Sequence, residues 1–120
     1  MTTPSTTPPR MCGMIGSHCS AAGGIHNAVA EAVRLGLDCV QVFTKNQRQW
    51  NAPKLTDEAI RLYRDAVRAA GWDDLPQRVV SHNSYLVNLA SPDAELRAKS
   101  IAAQRDELER CELLGIRCCV

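Results

Sequence analysis

RVVSHNSYLVNLASP, residues 78–92, is the stretch whose reading decides the fold. Arg78-Val79-Val80 is short, apolar and β-branched, the makeup of a buried strand. His82 stands where that strand ends, and Tyr85 and Leu86 follow in the loop beyond. A helix start comes at once, with Ser91 as N-cap and Pro92 at the first helical position. The unit is therefore strand, loop, helix, with a metal-capable imidazole and two insertable apolar side chains at the end of the strand. Plainer readings stand beside this one. A histidine after a strand is often a hydrogen-bonded structural residue, and Tyr85 and Leu86 could roof the core.

The same unit recurs on either side. Met11–Ile15 reads as a first strand, followed by a Gly16–Ser20 loop and a helix over Ala21–Leu35. Ile25, Ala28, Val29, Ala32 and Val33 form one face of that helix, and Gly36 ends it. Cys39–Phe43 is the second strand, and Thr44–Leu55 a long polar loop. Thr56 caps the next helix, Asp57 and Glu58 suit its dipole, and Gly71 stops it. Its buried stripe is Ile60, Tyr63, Val67 and Ala70. Gln77–Val80 is the third strand. The helix from Pro92 to Leu114 carries Ala94, Ala98, Ile101, Leu108 and Cys111 on one face and stops at Gly115. Ile116–Val120 begins a fourth strand.

Strand starts near 39, 78 and 116 repeat at about 38 residues, the signature of successive βαβ units and a parallel sheet with helices outside. A small doubly wound sheet and the first half of an eightfold barrel both fit. The chain stops inside a strand without a closing helix, which favours an incomplete barrel over residues 11–120, truncated in its fourth strand. Residues 1–10 hold prolines, serine and threonines with little to pack, and are expected to be a disordered tail.

Composition narrows the function. A net charge of +1 gives no whole-domain attraction to nucleic acid or membrane, so any nucleic-acid contact must come from local loops. No apolar run approaches the roughly 20 residues of a membrane span, and no signal segment leads the chain. Cys12, Cys39, Cys118 and Cys119 lie in strand-like runs and Cys111 on a helix stripe, with Cys19 in a loop. Without a Cys-x-x-Cys pair, these read as small core residues of a protein in a reducing compartment, the cytoplasm, or the nucleus or an organelle in a eukaryote.

In a parallel α/β fold the loops after the strands share one face, where sites are built. Those loops carry Gly16-Ser17-His18, then Thr44–Trp50, then Ser81–Tyr85. The second has Lys45, Arg48 and Lys54 with the amides Asn46, Gln47 and Gln49 and the flat ring of Trp50, and no acid. Cations, amides and an aromatic suit contact with nucleic acid; a solvated loop with Trp50 folded on the core is the alternative.

IGSHCSAAGG at 15–24, VFTKNQRQW at 42–50, SHNSYLVNL at 81–89 and ERCELLGI at 109–116 together resemble the endonuclease IV (deoxyribonuclease IV) family of abasic-site DNA repair enzymes. The resemblance runs from about Met14 to the last residue, in order and with matching spacing. It implies the N-terminal portion of a xylose-isomerase-like TIM (β/α)8 barrel, monomeric at full length. It also implies a trinuclear zinc enzyme that cleaves double-stranded DNA 5′ to abasic sites in base excision repair. His82 matches a metal-ligand histidine of the family. Arg48 matches an arginine that enters DNA from the minor-groove side, and Asn46 and Gln47 join it as DNA-contact residues. Tyr85 and Leu86 match residues that push into the base stack beside the lesion. His18 matches a position near the site that is not a ligand. His82 alone cannot hold zinc, which takes about four ligands. The chain itself is therefore expected not to cleave DNA and to contain no catalytic residue. Two other readings remain: a non-catalytic DNA-binding remnant, and a metal-dependent sugar isomerase relative, for which the loop residues give less reason.

Overall fold

A computed structural model describes residues 13–120. The tail, residues 1–10, and the start of the expected first strand lie outside the described residues. Four short strands alternate with three helices: β1 Gly16–His18, α1 Ile25–Arg34, β2 Cys39–Val42, α2 Asp57–Ala69, β3 Val79–Ser81, α3 Ala94–Leu114 and β4 Cys118–Cys119. A 3₁₀ turn, Pro76–Arg78, leads into β3. The strands are all parallel in the order β1-β2-β3-β4. This is half the strand number of an eightfold barrel, with a helix following each of the first three strands as barrel topology requires.

The helix ends form for local reasons. Thr56 Oγ1 accepts from the Ala59 N–H at 3.1 Å, and Asp93 Oδ1 accepts from Leu96 N–H at 2.7 Å, each satisfying a donor that the helix leaves open. Gly115 closes α3 at φ 77°, a left-handed backbone that costs glycine little. The expected cap at Ser91 is displaced by two residues. Ser91 is buried, its hydroxyl accepts from the Asp93 N–H, and its carbonyl accepts from Arg97. It braces the turn ahead of the helix instead.

The core lies between sheet and helices. Ile25, Ala28, Val29 and Ala32 of α1 pack with Val40 and Val42 of β2, Tyr63 of α2 and Val79 of β3, and Trp72, Leu114 and Ile116 extend the same cluster. The apolar face read for α1 is thus present except at Val33, which is exposed. The stripe of α2 is also in place: Tyr63 is buried and Ile60, Val67 and Ala70 pack against the core.

The third strand starts two residues later than expected, at Val79, because Gln77 and Arg78 belong to the 3₁₀ turn, and two further segments also differ from expectation. The first strand lies at Gly16–His18, the segment expected as loop, while Met14 and Ile15 are exposed. Register explains the shift. Gly16 pairs with Cys39, and a Cβ there would collide with the Cys39 carbonyl, so the strands approach closely only where glycine stands. Ile15 is instead held by Asp38, whose carboxylate accepts from the Ile15 N–H and whose own N–H donates to the Ile15 carbonyl.

The second difference is larger. Of the expected α3 stripe only Cys111 is buried; Ile101 and Leu108 are 48% and 51% exposed. The face turned to the sheet is Ser100, Ala103, Glu107, Arg110, Cys111 and Leu114. These positions recur at helical spacing, but three are polar, so apolar periodicity does not reveal them.

Candidate functional site

The carboxyl ends of β1, β2 and β3 bring four rings together. Phe43, just past β2, lies 4.5 Å from the His18 ring centroid, 5.2 Å from His82 and 5.5 Å from Tyr85. His82 and Tyr85 are 5.4 Å apart, and the two histidines 6.3 Å. Most of these pairs meet edge to face, the arrangement aromatic quadrupoles favour. Tyr85 is nonetheless 69% exposed, so it is not core roofing. Leu86 beside it is half-buried.

His82 is fixed at both ends. Its backbone N–H donates to the Val42 carbonyl at 2.8 Å. Its ring Nδ1 lies 2.6 Å from the Asn83 carbonyl. A carbonyl can only accept, so Nδ1 carries a proton, and in the neutral ring Nε2 is the nitrogen with the lone pair. That is the tautomer a metal-binding imidazole adopts when its other nitrogen is anchored. His18 is held differently, by Gln41 Nε2 at 3.0 Å from its Nδ1. Partial burial, and secondly the nearby His82 ring, lower the His18 pKa below its ordinary 6.5.

The loop after β2 is joined to the loop after β3. Ser84 Oγ donates to the Gln47 carbonyl at 2.8 Å, and also accepts from the Leu86 N–H. Asn46 turns the loop by accepting from the Arg48 N–H at 2.9 Å through its side-chain oxygen. Asn46 and Arg48 are exposed, and Gln47 is half-buried. One hydroxyl thus ties the backbone beneath Arg48 to the backbone that carries Tyr85 and Leu86. A cleft of about 690 Å³ runs alongside, lined by His18, Phe43, Lys45, Asn46 and Gln47 among others. A larger cavity, about 750 Å³, opens elsewhere, between α2 and α3, with Tyr63, Trp72, Cys111 and Cys119 in its walls. The strand-end rings do not line it, and the candidate site is therefore placed at the strand ends.

Lys45 does not join the exposed cations. Its side chain is 2% exposed, and its ammonium donates to Asp106 at 2.8 Å and to the Ala103 carbonyl at 3.3 Å. Local reading of residues 44–54 found no acid, because the acids that claim Lys45 come from α3, some sixty residues on. Trp50 is half-buried against α3, lining a pocket with Lys99, Ala103 and Asp106.

Glu107 is the residue that sequence reading passed over. Its side chain is 0% exposed. Its carboxylate accepts from Ser81 Oγ and from Thr44 Oγ1 at 2.8 Å, and lies 3.9 Å from the Lys45 ammonium. Arg110 completes the support. Its Nε donates to Thr44 Oγ1 at 3.2 Å, and its terminal nitrogens donate to the carbonyls of Thr44 and Pro53 at 2.6 and 2.8 Å. Arg110 therefore clamps both ends of the Thr44–Pro53 loop from below. The only sequence signal is the i, i+3 spacing of Glu107 and Arg110, which by itself reads as a surface ion pair.

The described cysteines are all free thiols. Cys111 is buried, and burial is the chief cause pushing its thiol up to about 12. Cys119 is raised for the same first reason. Cys19, expected in a loop, is buried, while Cys118 is exposed rather than packed in a core.

On the ring-lined face of the strand ends, among the described residues, the imidazoles of His82 and His18 are the metal-capable groups; Glu107, Cys111 and Cys119 form a separate group on the α3 side. His82 fits a zinc ligand by its tautomer, but these two rings do not complete a four-coordinate site. No helix of the described residues is long and apolar enough to cross a membrane.

Comparison with known proteins agrees with this architecture. Residues 29–120 match the family model described as xylose isomerase-like TIM barrel. Among curated relatives, the probable endonuclease 4 of Campylobacter hominis is 42% identical, over 86% of this chain and 36% of its own length. That of Geobacter sulfurreducens is 45% identical, over 85% of this chain and 33% of its own. That of Phocaeicola vulgatus is 45% identical, over 86% and 36%. The crystal structure of endonuclease IV from Thermus thermophilus superposes with a TM-score of 0.77 at 40% identity, covering 87% of this chain and 38% of that one. The chain thus spans about a third of the length of the relatives it matches. It belongs to the xylose isomerase-like TIM barrel family, and within it resembles the endonuclease IV proteins.

Proposed function

We propose that this chain is the DNA-engaging portion of a zinc-dependent endonuclease IV that cleaves duplex DNA 5′ to abasic sites in base excision repair. The observation that carries the reading is the strand-end cluster. His82, anchored through Nδ1, stands beside the exposed Tyr85, and the Ser84–Gln47 hydrogen bond couples that loop to the one bearing Arg48. Arg48, Asn46 and Gln47 would engage the backbone and groove edge, while Tyr85 and Leu86 would occupy the gap left by the missing base. His82 would be the one zinc ligand this chain supplies at that site; the others would come from the part of its relatives' length that it does not span. The free thiols of the described residues suit a reducing compartment such as the cytoplasm, and a monomer is the expected full-length state.

A non-catalytic DNA-binding module is the second reading, resting on the same Ser84–Gln47 link between the loops of Arg48 and Tyr85. The two share a binding test. Fluorescence anisotropy compares a duplex holding one tetrahydrofuran abasic analogue with the intact duplex. Tyr85→Ala should weaken abasic binding about fivefold or more, from a stacking contribution of about 1–3 kcal/mol, and leave intact-duplex binding nearly unchanged. Equal losses on both duplexes would sink the wedge role. Nicking of the abasic duplex by this chain with added zinc, abolished by His82→Ala, would show instead that the chain holds a complete site.

A further inference from the structure

We propose that Glu107, Cys111 and Cys119 form a second metal site, separate from His82, that binds one thiophilic divalent ion such as zinc between α3 and β4. The ligand atoms of the three residues lie within 4.8 Å of one another. Glu107 and Cys111 are four residues apart on one helix face, and Cys119 comes from the neighbouring strand. Cys111 Sγ stands 3.7 Å from Glu107 Oε1. A tetrahedral zinc with bonds of about 2.3 Å to sulfur and about 2.0 Å to oxygen would separate those donors by roughly 3.5 Å. The donors are therefore already near the edge length that the ion requires.

The surroundings fit an ion as well as the donors do. Glu107 and Cys111 are buried and Cys119 is half-buried. Ser81 and Thr44 hydrogen-bond the Glu107 carboxylate and hold its orientation, as outer partners of metal ligands do. The 750 Å³ cavity between α2 and α3 reaches both Cys111 and Cys119, which provides an entry path and room for a water as fourth ligand. Binding replaces two thiol protons with one divalent cation: both S–H bonds break, two sulfur–metal bonds form, and two protons leave to solvent. One carboxylate and two thiolates leave a residual charge of −1, which faces the Lys45 ammonium 3.9 Å from Glu107.

The site lies across the sheet from His82. Successive strand residues project to opposite faces. Ser81 reaches Glu107 on the α3 side, so His82 points to the other. Two soft sulfurs and one carboxylate select zinc or cobalt over magnesium or calcium.

Cobalt(II) titration of the chelator-stripped, phosphine-reduced chain tests this. Sulfur ligation gives a near-ultraviolet charge-transfer band that an imidazole site lacks, which separates this site from any ion at His82. The band should saturate at one cobalt per chain and be displaced by zinc, with two protons released per zinc in weak buffer. Cys111→Ser and Cys119→Ser should each weaken binding roughly tenfold or more, whereas Cys39→Ser, Cys118→Ser and His82→Ala should leave it intact. Cys119→His, which replaces one ligand by another, should retain one cobalt with a weaker band and keeps the test meaningful if the serine variants misfold. No band in the parent chain, a band surviving the Cys111→Ser/Cys119→Ser double variant, or a band lost with Cys118→Ser would overturn the proposal.

Discussion

Replacing Glu107 by alanine should be among the most damaging single changes in the chain. The carboxylate takes one hydrogen bond from Ser81 and one from Thr44 in a place with no solvent access. Hydrogen bonds to a charged partner are worth about 1.5–3 kcal/mol each, so two bonds come to about 3–6 kcal/mol. Lys45 keeps Asp106 at 2.8 Å, so its charge is not orphaned and adds little to the loss. Against a total stability of about 5–15 kcal/mol for a typical domain, Glu107→Ala would leave much of the population unfolded. Glu107→Gln keeps the shape and one acceptor and should cost less, about 1–3 kcal/mol. The assay is urea unfolding in the presence of chelator, followed by fluorescence of the buried Trp72. A loss under about 1 kcal/mol for Glu107→Ala with an unchanged denaturant slope would refute the idea that this carboxylate holds the strand ends to α3.

Further consequences are open to direct measurement. Arg48→Ala should reduce the slope of log binding constant against log salt by about 0.9 for duplex DNA, the effect of one phosphate contact; an unchanged slope would place Arg48 away from the backbone. The lowered pKa of His18 means that the folded state resists protonation. Stability should be fully present above pH 6.5, fall as pH drops below it, and level off below the folded-state pKa. His18→Gln should flatten melting temperature between pH 8 and about 5, and a parent profile already flat there would contradict the assignment. Among the described cysteines, alkylation near pH 8 followed by mass spectrometry should label exposed Cys118 first and Cys111, buried with its pKa at about 12, last. Comparable rates at the two would mean that α3 does not pack as described.

Strand, helix and turn order was legible in the sequence wherever the signal is local. Thr56, Gly36, Gly71 and Gly115 mark ends through their own backbone chemistry, and Ile25, Ala28, Val29 and Ala32 repeat with the period of the helix that buries them. The placing of His82, Tyr85 and Arg48 on one face followed from parallel topology, because every loop after a strand opens the same way. What the tertiary structure alone decided is the inner face of α3. Ile101 and Leu108 look like core residues and face outward, while Ser100, Glu107 and Arg110 look like surface and are buried. The burial of Glu107 and Arg110 is tolerated only because Thr44, Ser81 and the Pro53 carbonyl meet them, residues 26 to 66 positions away in the chain, while Ser100 accepts from the Asn88 N–H. A local pattern records which side chains avoid water. It does not record which polar groups will find each other, since that satisfaction exists only once the strands and α3 have come together.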